Sequence, residues 1–429
     1  MSPPAPDAPP RRRPFQLMVN PVGARCNLEC RYCHYREKTR ILYPSTRVPR
    51  MDDARIQALV RDHIAAQPAG EEVHFIWQGG EPTLLGLDAF RRIVSWQRHY
   101  ADGRRVQNSL QTNGTLLDDD WGRFLQQENF LVNISLDGPR AMHDAYRMDA
   151  GDRPTWEKVM TGLRILRRHR VDFGTTTVVH RRNCRHPREV YDFLVGSGAR
   201  HLQFIPLVER RADELELALG FAHADPGDPD RKPVPAATSE FAASAQSLPP
   251  GRYGQFLRTL FDHWVRRDVG RVFVEQFESA LAAWLGEEPI ACPNTRRCRR
   301  VFCVEHDGEL YGCDHYAYRG FSLGNVSRVP VGELADGPGA EAFCAAKEEL
   351  PHRCLSCPVR FACNGDCPKH RFVRAGVGER PVSYLCGDYS RFFRHIDPIM
   401  REIVALMRAG RPAADIMRRP LNTPPAAFS

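Results

Sequence analysis

From residue 15 to about residue 206 the chain alternates short strand-type apolar runs with longer segments of helical periodicity. That alternation constrains the fold more than any other feature. Strand candidates are 15–19 (FQLMV), 72–77 (EVHFIW), 106–112, 131–136, 172–179 and 201–206. Between them, 52–67, 86–100, 116–127, 155–169 and 187–198 repeat apolar residues at spacings of three and four. Six strands separated by five helices predict an α/β fold, a parallel sheet with right-handed crossovers. Such a sheet curls into an open or partial (β/α)6 TIM-like barrel, and its chemistry gathers on the loops after the strands.

The rest of the chain divides by composition. Residues 1–13 form a Pro/Arg-rich arm and 14–221 the barrel. Residues 222–250, rich in Pro, Asp, Ala and Ser, read as a linker or surface loop. A helical connector at 251–291 contains helical patterns at 254–268 and 274–286. A cysteine-rich unit occupies 292–395, and a C-terminal helix and tail 396–429.

Several function classes are disfavoured by composition. No run approaches the roughly 18 apolar residues of a membrane span, and the N-terminus has no apolar signal-peptide core, so a cytoplasmic protein without a membrane partner is expected. The net charge is +8, but the 55 arginines are scattered along the chain, which argues against a nucleic-acid stripe. The lysines number five. Fourteen cysteines in such a chain read as metal or redox ligands, not disulfides.

Thirteen of those cysteines fall in two groups, and Cys184 lies between them. Cys26, Cys30 and Cys33 form a C-x3-C-x2-C triplet on the loop after the first strand. Zinc structural sites take four protein ligands. A four-iron cluster on three thiolates leaves one iron open to a small molecule. A structural zinc with a remote fourth ligand is the alternative. In the tail, Cys298 and Cys313 flank Gly308, residues 354–367 read C-x2-C-x5-C-x3-C, and Cys386 follows.

The triplet in this setting resembles the radical S-adenosylmethionine enzymes. The resemblance implies that the open iron binds the amino and carboxylate groups of S-adenosylmethionine, whose reductive cleavage yields a 5′-deoxyadenosyl radical. It also implies cofactor contacts. In "WQGGEPTL" these are Gln78, Gly79, Gly80 and Glu81, with Glu81 and the local backbone accepting from the methionine amino group. Ser135 in "ISLDGP", Arg147 in "AYRM" for the methionine carboxylate, Leu207 through its backbone near the adenine, and Tyr35 complete the set.

The tail resembles the SPASM auxiliary-cluster domain. This implies one cluster on Cys292, Cys298, Cys313 and Cys367 and another on Cys354, Cys357, Cys363 and Cys386, giving three [4Fe-4S] clusters in all. Cys184, Cys303 and Cys344 are left as small apolar residues.

Longer stretches, among them "NFLVNISLDGPRAMHDAYR" and "CPVRFACNGDCPKHRF", resemble the anaerobic sulfatase-maturating enzymes. The implied reaction oxidises a Cys or Ser of a sulfatase to Cα-formylglycine. The implied partners are an unfolded or nascent sulfatase peptide of C/S-x-P-x-R type and a reduced flavodoxin- or ferredoxin-like electron donor. Asp314 in "GCDHY" takes the place of the base, with His315 a weaker candidate. Three positions depart from the family pattern: Asp366 stands where Gly is usual, Cys303 replaces another small residue, and His34 stands where Tyr is common. Two other readings stay open: a radical maturase that crosslinks a different ribosomal peptide, and a non-enzymatic iron–sulfur or zinc scaffold.

Overall fold

The computed structural model describes residues 12–35, 49–212, 234–235, 243–374 and 379–419. Its centre is six strands, β1 (Gln16–Val19), β2 (Val73–Trp77), β3 (Val106–Thr112), β4 (Leu131–Ser135), β5 (Phe173–Val179) and β6 (His201–Pro206). They pair in chain order, all parallel, as the alternation predicts. Helices Asp53–Ala66, Leu87–Tyr100, Asp119–Gln127, Trp156–Arg168 and Pro187–Gly196 cross between them.

Local chemistry fixes the helix starts. The Asp52 side chain accepts from the Arg55 amide and that of Asp118 from the Trp121 amide, each capping a helix N-terminus. Pro187 opens its helix at a position where no amide is needed.

The strands sort their side chains by alternation. Phe75, Trp77, Leu110, Val132, Ile134 and Phe204 are fully buried and join the large apolar core. Several of the alternate positions are polar and joined across the sheet, beside the apolar Met18, Ile76 and Val178. His74 meets Ser109 at 2.8 Å, Gln111 donates to Ser135 at 3.1 Å, and Thr176 donates to Gln111 and Gln203 at 3.0 and 3.1 Å. A closed barrel fills this face with branched apolar residues. Here part of it is a hydrogen-bonded polar lining suited to a solvated or ligand-filled interior.

Beyond the six strands, the structure departs from the expected domain limits. Among the described residues seven more strands follow: β7 (Val234–Pro235), β8 (Phe273–Val274), β9 (Val301–Val304), β10 (Glu309–Tyr311), β11 (Ser322–Asn325), β12 (Arg371–Arg374) and β13 (Val382–Ser383). One ten-stranded sheet runs β11-β10-β9-β1-β2-β3-β4-β5-β6-β8. The cysteine-rich region therefore does not begin as a separate unit. β9 pairs parallel with β1, from Gln16 opposite Val301 to Val19 opposite Val304. A small sheet joins β13, β12 and β7.

The connector helices are Arg252–Trp264 and Glu275–Leu285, and the last long helix is Cys386–Arg408. That helix starts ten residues before the expected boundary and carries Cys386 in its first turn. Most of 222–250 lies outside the described residues. Its end is no loose linker: Leu248 is fully buried, and Ser247 and Leu248 bond to Glu209 and Leu207 at the end of β6.

Candidate active site

The loop after β1 carries the cysteine triplet. Cys30 is buried, and Cys26 and Cys33 are half-buried. Two backbone bonds anchor the loop, from Glu29 N–H to Met148 O (2.7 Å) and from Arg31 N–H to Tyr146 O (2.8 Å). The Leu28 amide donates to Cys26 Sγ at 3.3 Å. Burial is the main force on the thiols of Cys26 and Cys30, pushing each up to about 12, and the three thiols act on one another.

The segment Gln78–Glu81 packs against the residues that lead into this loop. Gly80 N–H donates to Gly23 O at 2.8 Å and Glu81 N–H to Arg25 O at 2.9 Å. A Cβ on Gly80 would sit 2.0 Å from Arg25 O, and Gly79 has φ +111°, so both glycines are required by this backbone-to-backbone approach. Gln78 donates to Met18 Sδ at 3.1 Å.

Glu81 has a different job from the one expected. Its carboxylate is fully buried and accepts from the Thr83 amide, the Thr83 and Thr112 hydroxyls and the Asn113 amide. It ties this loop to the end of β3.

Arg147 also departs from expectation. Its Nε and Nη2 bond the two oxygens of Asp137 at 3.0 and 3.1 Å, and it is 6% exposed. Tyr32 of the triplet loop donates to the same carboxylate, as does the Val178 amide. Burial alone would raise the Asp137 carboxyl, but Arg147, His180 and His143 hold it below the usual range. A methionine carboxylate would have to compete with Asp137 for the same guanidinium edge. Arg147 is thus the counter-ion of the floor beneath the triplet.

The other expected residues lie as follows. Leu207 is buried against Leu28, Cys30 and Tyr32. Ser135 sits in the polar lining. Tyr35 is buried, its hydroxyl accepting from Asn20 Nδ2 at 3.3 Å. Asn20 Nδ2 also reaches Glu305 at 2.8 Å and Cys303 Sγ at 3.4 Å.

Tyr35 faces the second half of the site. Burial first, then Asp314, Cys303 and Glu305, raise its phenol well above the ordinary value. The His34 and His315 rings meet edge to face at 5.8 Å. Cys313 Sγ, an Asp314 oxygen and a His315 ring nitrogen lie within 4.8 Å of one another. The turn Asp314–Tyr316 that presents Asp314 thus stands against the loop of the triplet.

The tail thiols lie near one another in two sets, with Cys344 also beside Cys298. The thiols of Cys292, Cys298, Cys313 and Cys367 act on one another electrostatically, and so do those of Cys354, Cys357, Cys363 and Cys386. Burial pushes Cys298 and Cys367 up to about 12 and Cys354 up to about 11. Thiols this reluctant to ionise, gathered in threes and fours, fit a soft metal cluster whose own charge drives deprotonation.

Between the two groups, Asn364, Gly365 and Asp366 are all left-handed, with φ of +46°, +76° and +62°. This explains why Gly suits the Asp366 position. Asp366 tolerates it because its carboxylate is bound by His370 (2.9 Å) and Ser383 (2.6 Å). Arg371 closes the turn from behind, donating to the carbonyls of all three residues. Cys184, Cys303 and Cys344 are buried, as expected of small apolar residues.

Sequence reasoning missed Asn20, Asp137, Glu305 and Lys347. Asp137 lay inside a quoted motif behind Ser135. Lys347, 1% exposed, was signalled by the rarity of lysine in the chain.

Known proteins carry the same features. Residues 20–194 match the model of the radical SAM superfamily, and residues 292–358 that of an iron–sulfur cluster-binding domain. The serine-type anaerobic sulfatase-maturating enzyme of Bacteroides thetaiotaomicron is 36% identical over 95% of this chain and 96% of its own length. The cysteine-type enzyme of Clostridium novyi is 29% identical over 88% and 94%. Native anSMEcpe, solved with bound AdoMet and the Cp18Cys peptide, superposes with a TM-score of 0.77 at 28% identity, covering 92% of this chain and 100% of that one. With an open thiol triplet on a partial barrel, two four-thiol groups in the tail and relatives matched almost end to end, the chain belongs to the anaerobic sulfatase-maturating enzymes of the radical SAM superfamily.

Proposed function

We propose that this chain oxidises a serine or cysteine of a sulfatase peptide of C/S-x-P-x-R type to Cα-formylglycine. The observation that carries the reading is the meeting of two loops: the His34 ring beside the thiol triplet meets the ring of His315, next to Asp314, edge to face at 5.8 Å. Cys26, Cys30 and Cys33 would hold the open cluster, and the two tail groups would hold the auxiliary pair. When bound, these clusters and S-adenosylmethionine supply the 5′-deoxyadenosyl radical that takes a Cβ hydrogen and an outlet for one further electron.

The chain's own residues do the rest. The polar lining through Gln111, Ser135 and Thr176 offers donors and acceptors to an extended polar ligand. Gly79 and Gly80 keep the loop backbone close to the triplet. Asp314, half-buried, takes the proton of the target hydroxyl or thiol as the carbonyl forms. Asn20 ties Tyr35 of the triplet loop to Glu305 at the end of β9, the strand that leads toward the Asp314 turn. The electron donor is a reduced flavodoxin- or ferredoxin-like protein. Identity to the serine-type relative, 36%, exceeds that to the cysteine-type, 29%, which favours serine as the target.

The test is anaerobic turnover with paired Ser and Cys peptides, followed by mass spectrometry. Aldehyde product, greater from Ser, is expected. Deoxyadenosine without aldehyde from either peptide would sink the assignment. Asp314→Asn should keep S-adenosylmethionine cleavage and lower product by at least ~100-fold, the low end of a general-base contribution.

A further inference from the structure

Arginine outnumbers lysine 55 to five in this chain, yet a lysine occupies one of its most enclosed positions. Lys347, in the turn Ala346–Glu348, is 1% exposed. Its Nζ donates to Cys292 O at 2.7 Å, Pro293 O at 3.0 Å and Thr295 Oγ1 at 3.4 Å. Three donors therefore converge on three oxygens from one turn. A compact ammonium meets that cage with all three of its donors, and a guanidinium keeps the charge but presents a planar fork of donors. The arginine bias yields here for a geometric reason.

The cage belongs to one thiol group and not the other. Lys347 acts electrostatically on Cys298 and Cys367, opposing the burial that raises both. Arg353 acts on Cys354 and Cys386 of the other group, and Arg371 acts on both groups through Cys298 and Cys354. Lys347 is also wired to the turn between the groups, since its carbonyl accepts from Arg371 Nη1 at 2.9 Å.

On the cluster assignment made under Proposed function, we propose that the Lys347 ammonium is a fixed internal counter-charge that raises the reduction potential of the cluster on Cys292, Cys298, Cys313 and Cys367. One-electron reduction adds a negative charge to that cluster, so a buried cation beside two of its ligands stabilises the reduced form. Lys347 bonds the backbone of Cys292 itself, so its largest effect falls on the cluster next to Asp314. Lys347 touches neither substrate nor cofactor; it is a positioning and potential-setting residue.

The test is a redox titration of the anaerobically reconstituted full-length enzyme, followed by electron paramagnetic resonance. Three proteins are compared: wild type, Lys347→Gln, which keeps a donor but no charge, and Lys347→Arg, which keeps the charge. In Lys347→Gln one auxiliary midpoint falls, so that its reduced-to-oxidised ratio at fixed potential drops about tenfold, the effect of a unit charge at roughly 10 Å in a partly polar interior. The other midpoints move less, and Lys347→Arg stays near wild type.

Unchanged midpoints in Lys347→Gln with full iron would overturn the proposal, as would equal shifts in both variants, which mark a structural role. Should Lys347→Gln fail to keep its iron, Lys347→Arg decides. Full iron and a wild-type midpoint support the counter-charge, and lost iron or a shifted midpoint overturns it. Wild-type protein that reconstitutes to only about four irons would overturn the cluster assignment itself, a failure visible before any variant is compared.

Discussion

Arg147 is a residue whose partner the sequence hides. "AYRM" shows a cation near the end of β4, and a cofactor carboxylate is a reasonable partner for it. The partner in the structure is Asp137, ten residues back, and the pair is almost wholly buried. Removing one member strands a charge. Arg147→Met should lower stability by about 3–5 kcal/mol, and the double variant with Asp137→Asn should recover part of it. Chemical denaturation of both checks this. A full-stability Arg147→Met that no longer binds S-adenosylmethionine would return the arginine to the cofactor. Thiol ligands were easier to read, because their spacing is itself the signal. Which carboxylate an arginine finds depends on the return of the chain, and no spacing encodes it.

At the scale of elements, the six barrel strands and five helices were legible because period two and period three-to-four patterns are strong in the first 206 residues. The short strands β8 to β13 were not, since two to four residues carry too little pattern to register. The loops after the strands were read as cofactor contacts, and part of their composition instead serves loop-on-loop packing. Gly80 is the sharpest case. A methyl group there would meet Arg25 O at 2.0 Å, and neither side of the contact is a flexible side chain. Gly80→Ala should therefore displace the entry to the triplet loop. The expected result is a loss of about four irons per chain with the tail irons retained, measured by iron analysis after reconstitution. Full iron in that variant would show that the loop can move aside.

At the scale of the whole molecule, acid sensitivity follows from buried imidazoles. His63, His143 and His180 are fully buried, and burial lowers them to about 3, 3 and 4. In the unfolded chain each titrates near its ordinary value of 6.5. The native state thus binds fewer protons below that value, and stability present above pH 6.5 is lost as pH falls toward 4. Each imidazole contributes a slope of about 1.4 kcal/mol per pH unit within that window. Urea midpoints should fall between pH 7 and pH 5, and His63→Gln should flatten the slope by roughly one such contribution. An unchanged slope would mean that the imidazole takes its proton without unfolding.

The pairing of β1 with β9 has an evolutionary and practical consequence. Cluster-bearing tails are readily pictured as cassettes joined to a catalytic barrel at a seam. Here four residues of the tail complete the edge of the barrel's first strand, and the loops leaving β1 and the β9–β10 hairpin carry Tyr35 and Asp314. Any recombination that cut at residue 292 would leave the donor tail's strand to match a foreign edge in register. A mismatch of one residue would turn Cys303 and Glu305 to the opposite face and separate the base from the cofactor loop. Such hybrids should survive chiefly when β1 and β9 travel together, so the heritable unit of this enzyme is the strand pair and not the domain.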